Sequence, residues 1–165
     1  MRRFATAVLK YWVCKRATPH AVEALECLGG NGYVEESPMP RLLRDAPLNG
    51  IWEGSGNVIA LDVLRALARE PEAGEAFRAE CALARGADAR LDAHLDALKM
   101  PTDAWEARRA VEDLALAFQA SLLVRHAPPF VADAFCARLA GGRAFGTLPA
   151  GVDGPAIVAR ALQLD

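Results

Sequence analysis

The sequence predicts an all-α protein, a helical bundle, and three observations carry that prediction. Alanine and leucine dominate the composition, with little clustering of the β-branched residues that favour strands. Apolar residues recur at helical spacing along most of the 165 residues. Between those periodic stretches stand prolines, glycines and short polar residues of the kind that start and stop helices.

Phe4, Ala7, Val8, Tyr11 and Trp12 share one face, so residues 2–16 read as an amphipathic helix. Thr18 and Pro19 offer a cap and a first-turn residue for a second helix reaching about Leu28. Gly29-Gly30 and Asn31-Gly32 can take positive φ and end it. Residues 33–50 are rich in turns around a short helix, "RLLRDA", in which Arg41, Arg44 and Asp45 suit surface ion pairing. From Asn57 to about Arg69, Val58, Leu61, Leu64 and Leu67 again keep helical spacing.

Pro71 divides the chain, giving a helical region over 1–70 and a second over 71–165 packed on it. The second region predicts helices near 72–85 and 88–99, then one opened by Asp103 and Glu106 in a capping-box pattern and running to His126. Val111, Leu114, Phe118 and Leu122 form its stripe, and Trp105 is expected in the core with Phe118. Pro128-Pro129 starts a helix that ends at Gly141-Gly142, and Asp153 with Pro155 starts the last.

Charge and cysteine use narrow the function classes. Residues 1–70 carry nine basic and eight acidic side chains, and residues 71–165 carry ten and thirteen, so neither half resembles a general polyanion binder. No apolar run approaches the roughly 20 residues that cross a bilayer. Cys14, Cys27, Cys81 and Cys136 are widely spaced and no secretory start precedes them, which implies free thiols and a cytoplasmic setting. The three histidines lie in separate segments without metal-ligand spacing, so no metal site is expected.

The stretch "IWEGSGNV" is where chemistry concentrates. A glycine-rich loop running into a helix leaves backbone amides free, which suits an anion, although such loops are also ordinary turns. Glu53, between Trp52 and Gly54, reads two ways: a carboxylate favoured by the helix dipole, or a general base buried beside an aromatic.

The run "ALECLGGNGYVEESPMPRLLRDAPLNGIWEGSGNVIALDVLRAL" strongly resembles the carboxy-terminal helical domain of acyl-CoA dehydrogenases, with L-G-G-x-G-Y, R-D-A and I-[YW]-E-G-[TS] all present. "IWEGSGN", "KYWVCKR" and "APP…AFCARL" look like the AidB-type, alkylation-response branch, so the resemblance covers nearly the whole chain. The resemblance implies FAD, an acyl-CoA thioester substrate, and Glu53 as the base that takes the α-proton. It assigns flavin contacts to Ile51, Trp52, Gly54, Ser55, Gly56 and Asn57, and places Gly29, Gly30 and Gly32 against a neighbouring subunit's FAD. It also implies a homo-oligomer, and a DNA-binding role for the last helices, for which Arg108, Arg109, Arg125, Arg138 and Arg143 are the basic residues available. Family members carry two domains ahead of this region, so residues 1–165 are expected to be inactive alone, with apolar Phe4, Tyr11 and Trp12 exposed for self-association.

Overall fold

The computed structural model describes residues 1–141 and 145–163. Among the described residues every regular element is helical. Helix α1 spans Arg2–Cys27, α2 Gly30–Tyr33, α3 Met39–Asp45 and α4 Gly56–Arg69, with a 3₁₀ turn over Ala46–Gly50. Helices α5 (Pro71–Ala82), α6 (Ala89–Ala97), α7 (Ala107–His126), α8 (Pro129–Ala137) and α9 (Gly154–Leu162) follow. The chain divides into two compact units. The first comprises Met1–Gly74 and Met100–Glu112, and the second Glu75–Lys99 and Asp113–Asp165.

In the first unit α1 is the spine, packed against α4, the 3₁₀ turn and α3. Its stripe Phe4, Val8, Tyr11 and Trp12 meets the α4 stripe Ile59, Ala60 and Val63, and all seven are buried. The expected exposure of Phe4, Tyr11 and Trp12 is therefore wrong. They are the core of this unit, because α4 lies along the same helical face. The exposed large apolar residues lie elsewhere, on the connecting loops and outer helix faces: Tyr33, Ile51 and Trp52 among them.

The expected break at Thr18 does not occur, and Pro19 lies inside one continuous helix. An interior proline costs a backbone hydrogen bond and crowds the preceding turn, about 3 kcal/mol. The packing of α1 against α2 and α3 beyond it overrides that cost. The helix ends where Gly29 takes φ +57°. At Gly32 an added Cβ would overlap the Leu25 carbonyl oxygen, so only glycine lets α2 fold back onto α1.

In the second unit Phe77 packs against Phe118, ring centroids 5.1 Å apart, and Cys81, Leu91, Leu114 and Cys136 are buried as well. Asp88 caps α6, accepting from the Arg90 and Leu91 amides, and Asp153 caps α9 through the Ala156 amide. Arg90 spans Asp88 and Asp133, its Nη2 lying 2.6 Å from a carboxylate oxygen of each, and so ties α6 to α8. The ion pair holds the Asp88 carboxyl down to about 2. Helix α8 ends at Ala137, several residues short of the glycines expected to stop it.

Ahead of α7, Asp103 Oδ1 accepts from the amides of Trp105 and Glu106 at 2.7 and 3.0 Å. The capping carboxylate is present as expected, but Glu106 turns its side chain to Arg109 rather than back to the cap. Trp105 is not a core residue. It is 97% exposed, because it belongs to the capping turn and not to the stripe that α7 buries.

Candidate functional site

The loop between the 3₁₀ turn and α4 is built by local backbone bonds. The amides of Ile51 and Trp52 both donate to the Leu48 carbonyl, at 2.9 and 3.2 Å. The chain then reverses through Glu53 at φ +57° and Gly54 at φ +112° before Ser55 enters α4. Glycine takes such angles freely, but a glutamate is held there at a cost of about 1–2 kcal/mol. Apart from Glu53, only Gln163, at the end of α9, is a non-glycine with positive φ among the described residues.

That geometry bears on both readings of Glu53. Ser55 is the residue before the helix and no acidic residue stands in the first turn of α4. A carboxylate ahead of the first turn gains less from the helix dipole than one within it. The expectation of a buried Glu53 also fails: the residue is exposed. It lines an open cleft of about 390 Å³ with Arg2, Arg3, Thr6, Ala7, Lys10, Ile59 and Asp62. Lys10 Nζ donates to the Asn49 carbonyl at 2.9 Å and Arg3 lies 3.6 Å from Asp62. Among the described residues the Glu53 carboxylate itself has no hydrogen bond and no ion pair.

Beside the cleft, Ile51 and Trp52 are 64% and 55% exposed and present an apolar, aromatic surface. The first amides of α4 have no intrahelical acceptor, and Ser55 gives them no side-chain cap. Gly56 lies under α1: a Cβ there would stand 2.5 Å from Lys15 Cε and 3.1 Å from Lys15 Nζ. An ammonium group is thus held over the start of α4. Asn57, the next residue, has its Oδ1 3.3 Å from Arg108 Nη1.

The second glycine motif lies apart from this loop. Residues 10–15 of α1 accompany the loop, whereas Gly29 follows the helix end, about 20 Å further along at 1.5 Å per residue. Gly29 and Gly30 are exposed with no neighbouring atom within 4 Å of an added Cβ, while Gly32 is buried against its own chain. Nearby, Arg44 holds Glu35 in a two-pronged pair at 2.8 and 3.0 Å, which keeps the Glu35 carboxyl below its usual range. Arg41 pairs with Asp45 at 3.6 Å.

Three of the arginines are engaged by other side chains. Arg109 pairs with Glu106 at 3.0 Å and Arg125 with Glu80 at 2.7 Å, while Arg108 is turned to the loop. Arg138 is exposed, and Arg143 lies outside the described residues. Sequence reasoning missed Lys15 and Arg108 as neighbours of the loop, because neither lies near it in the chain.

Comparison with known proteins bears on this loop. Residues 1–68 match the family model described as acyl-CoA dehydrogenase, C-terminal domain. AidB of Escherichia coli (strain K12), whose name places it with the acyl-CoA dehydrogenases, is 36% identical over 138 residues, covering 81% of this chain and 25% of AidB. Acyl-CoA dehydrogenase family member 11 of Caenorhabditis elegans is 52% identical over 65 residues, 39% of this chain and 10% of that protein. The crystal structure of Caenorhabditis elegans ACDH-11 in complex with C11-CoA superposes with a TM-score of 0.67 at 25% identity, over 99% of this chain and 33% of that one. The match therefore spans between a tenth and a third of the length of these relatives.

Proposed function

We propose, for a chain that belongs to the acyl-CoA dehydrogenase family through its carboxy-terminal helical domain, that it is the carboxy-terminal part of an FAD-dependent flavoprotein acting on acyl-CoA thioesters. The observation that carries this reading is Glu53. A glutamate stands where the backbone favours glycine, with its carboxylate unpaired at the edge of an open cleft. Residues held in such conformations cluster at sites where function demands them.

The residues around the loop suit FAD. Gly56 leaves no side chain between Lys15 and the start of α4, and the free amides there favour a dinucleotide's anionic diphosphate. Ile51 and Trp52 offer a flat apolar neighbour for a ring system. When bound, FAD supplies the acceptor for the hydrogen that leaves the substrate's β-carbon. Glu53 takes the α-proton on a carboxylate oxygen at the edge of the cleft. Gly54 and Ser55 keep the turn narrow, and Asn57 presents its side chain at the helix mouth. The reading requires a cover over the exposed Glu53 from outside these residues, which would exclude water from the proton transfer.

The open face at Gly29 and Gly30, with Tyr33 77% exposed beside it, is the surface we assign to a neighbouring subunit in a homo-oligomer. No helix among the described residues is long and apolar enough to cross a membrane. We do not extend the reading to DNA, since neither the relatives nor the paired arginines favour it.

The test is a chimera in which this chain replaces the matching third of ACDH-11, with C11-CoA as the probe. Deuterium uptake at the substrate α-carbon is followed in heavy water. Glu53→Gln slows it at least about 100-fold with flavin content unchanged. Unchanged exchange in the variant overturns the assignment of Glu53.

A further inference from the structure

Arg108 is the second residue of α7. The amino terminus of a helix favours anions and disfavours cations. Its neighbour Arg109 is neutralised there by Glu106 at 3.0 Å. Arg108 makes no ion pair among the described residues. Its guanidinium bonds two neutral oxygens instead: Nε donates to the Tyr11 hydroxyl and Nη1 to Asn57 Oδ1, each at 3.3 Å. The energetics of α7 alone give no reason for an un-neutralised cation at this point. The reason lies in what it holds.

Tyr11 is 5% exposed, so its hydroxyl is fixed by the core of the first unit. A guanidinium anchored on that hydroxyl presents its remaining N–H groups in a fixed plane, as a lysine ammonium on its flexible stem would not. Asn57 is the second residue of α4 and is exposed at the loop. With Oδ1 engaged by Arg108, its amide is oriented, and its two N–H groups are what remain for a ligand.

We propose that Arg108 is a positioning residue for Asn57: it fixes which end of the Asn57 amide the loop offers to the bound dinucleotide. The inference rests on the cofactor reading of residues 51–57. It adds to that site a residue from beyond the 1–68 segment that matches the family domain, so the later part of the chain completes the loop. Arg108 touches no reacting atom; it acts through Asn57.

The test uses the whole 165-residue chain labelled with ¹⁵N, as wild type, Arg108→Met and Arg108→Lys. FAD is titrated by fluorescence, the Asn57 side-chain amide is followed by NMR, and each protein is melted. Arg108→Met shifts the Asn57 amide resonances and weakens FAD binding about ten-fold, the loss of roughly one hydrogen bond's worth of preorganisation, with little change in melting temperature. Arg108→Lys retains the charge and lies between the two. A purely structural role would lower the melting temperature and leave the FAD affinity in place. If wild type binds FAD and Arg108→Met binds it equally well, the positioning role is overturned and the cofactor reading stands. If wild type binds no FAD, the cofactor reading falls and this inference with it.

Discussion

The guanidinium of Arg108 lies 3.3 Å from the side-chain oxygen of Asn57, although 51 positions separate them in the chain. That contact exists because Met100–Glu112 folds into the same unit as Met1–Gly74. The pattern "IWEGSGN" therefore does not stand alone. Its last residue is oriented by a helix that begins about 50 residues later, and Tyr11 of α1 anchors the same guanidinium.

Glu53 in a left-handed conformation makes a prediction about stability. Glu53→Gly removes the conformational strain but adds unfolded-state entropy, so the variant is as stable as wild type or more stable by up to about 1 kcal/mol. The same variant loses α-proton exchange in the chimera. Urea unfolding checks the first part. A variant destabilised by more than 1 kcal/mol, about the value of a lost hydrogen bond, would mean that the Glu53 side chain holds the loop together.

Asp103 and Trp105 differ in what they do for α7 despite being two residues apart. Asp103→Ala removes an acceptor for two amides and costs about 1 kcal/mol. Trp105→Ser, at a side chain 97% exposed, changes stability by less than about 0.5 kcal/mol. Equal losses from the two substitutions in thermal melts would contradict this description of the turn.

The Arg90 bridge makes the second unit sensitive to acid. The Asp88 carboxyl is lowered from its ordinary 3.8 to about 2, so the folded protein resists a proton that the unfolded chain accepts. The contribution is complete above the ordinary value and is lost as pH falls from there towards about 2. Melting temperatures of wild type and Asp88→Asn should converge across that interval. A constant gap between them would show that the ion pair carries no pH-dependent stability.

The four thiols should separate by reactivity. Cys27 is exposed at the end of α1, whereas Cys81 and Cys136 are buried and their thiols are pushed up to about 12 and about 11, mainly by burial. A maleimide at neutral pH labels Cys27 first and reaches Cys81 and Cys136 only on unfolding. Rapid labelling of all four in the native protein would place the second-unit core in doubt.

What the sequence made legible was what repeats or punctuates locally. The stripe Phe4, Val8, Tyr11 and Trp12, the short helix at "RLLRDA", and the caps at Asp103 and Asp153 were all readable from spacing. Pro19 misled, because the propensity cost of a proline is local while the packing that outweighs it comes from α2 and α3. Trp105 misled because helical spacing continues into the capping turn, where the side chain no longer faces the core. At the site, Glu53 and its glycines were visible as a motif. Its exposure, the Lys15 ammonium over Gly56 and the Arg108 tether were not, since each depends on elements distant in sequence.

An FAD titration of the chain itself, followed by flavin fluorescence in wild type and Asn57→Ala, tests residues 51–57 as a cofactor loop. A loop that contacts the cofactor gives saturable binding in wild type and weaker binding in Asn57→Ala. Binding that does not saturate, or an affinity indifferent to Asn57, would contradict residues 51–57 as a cofactor loop.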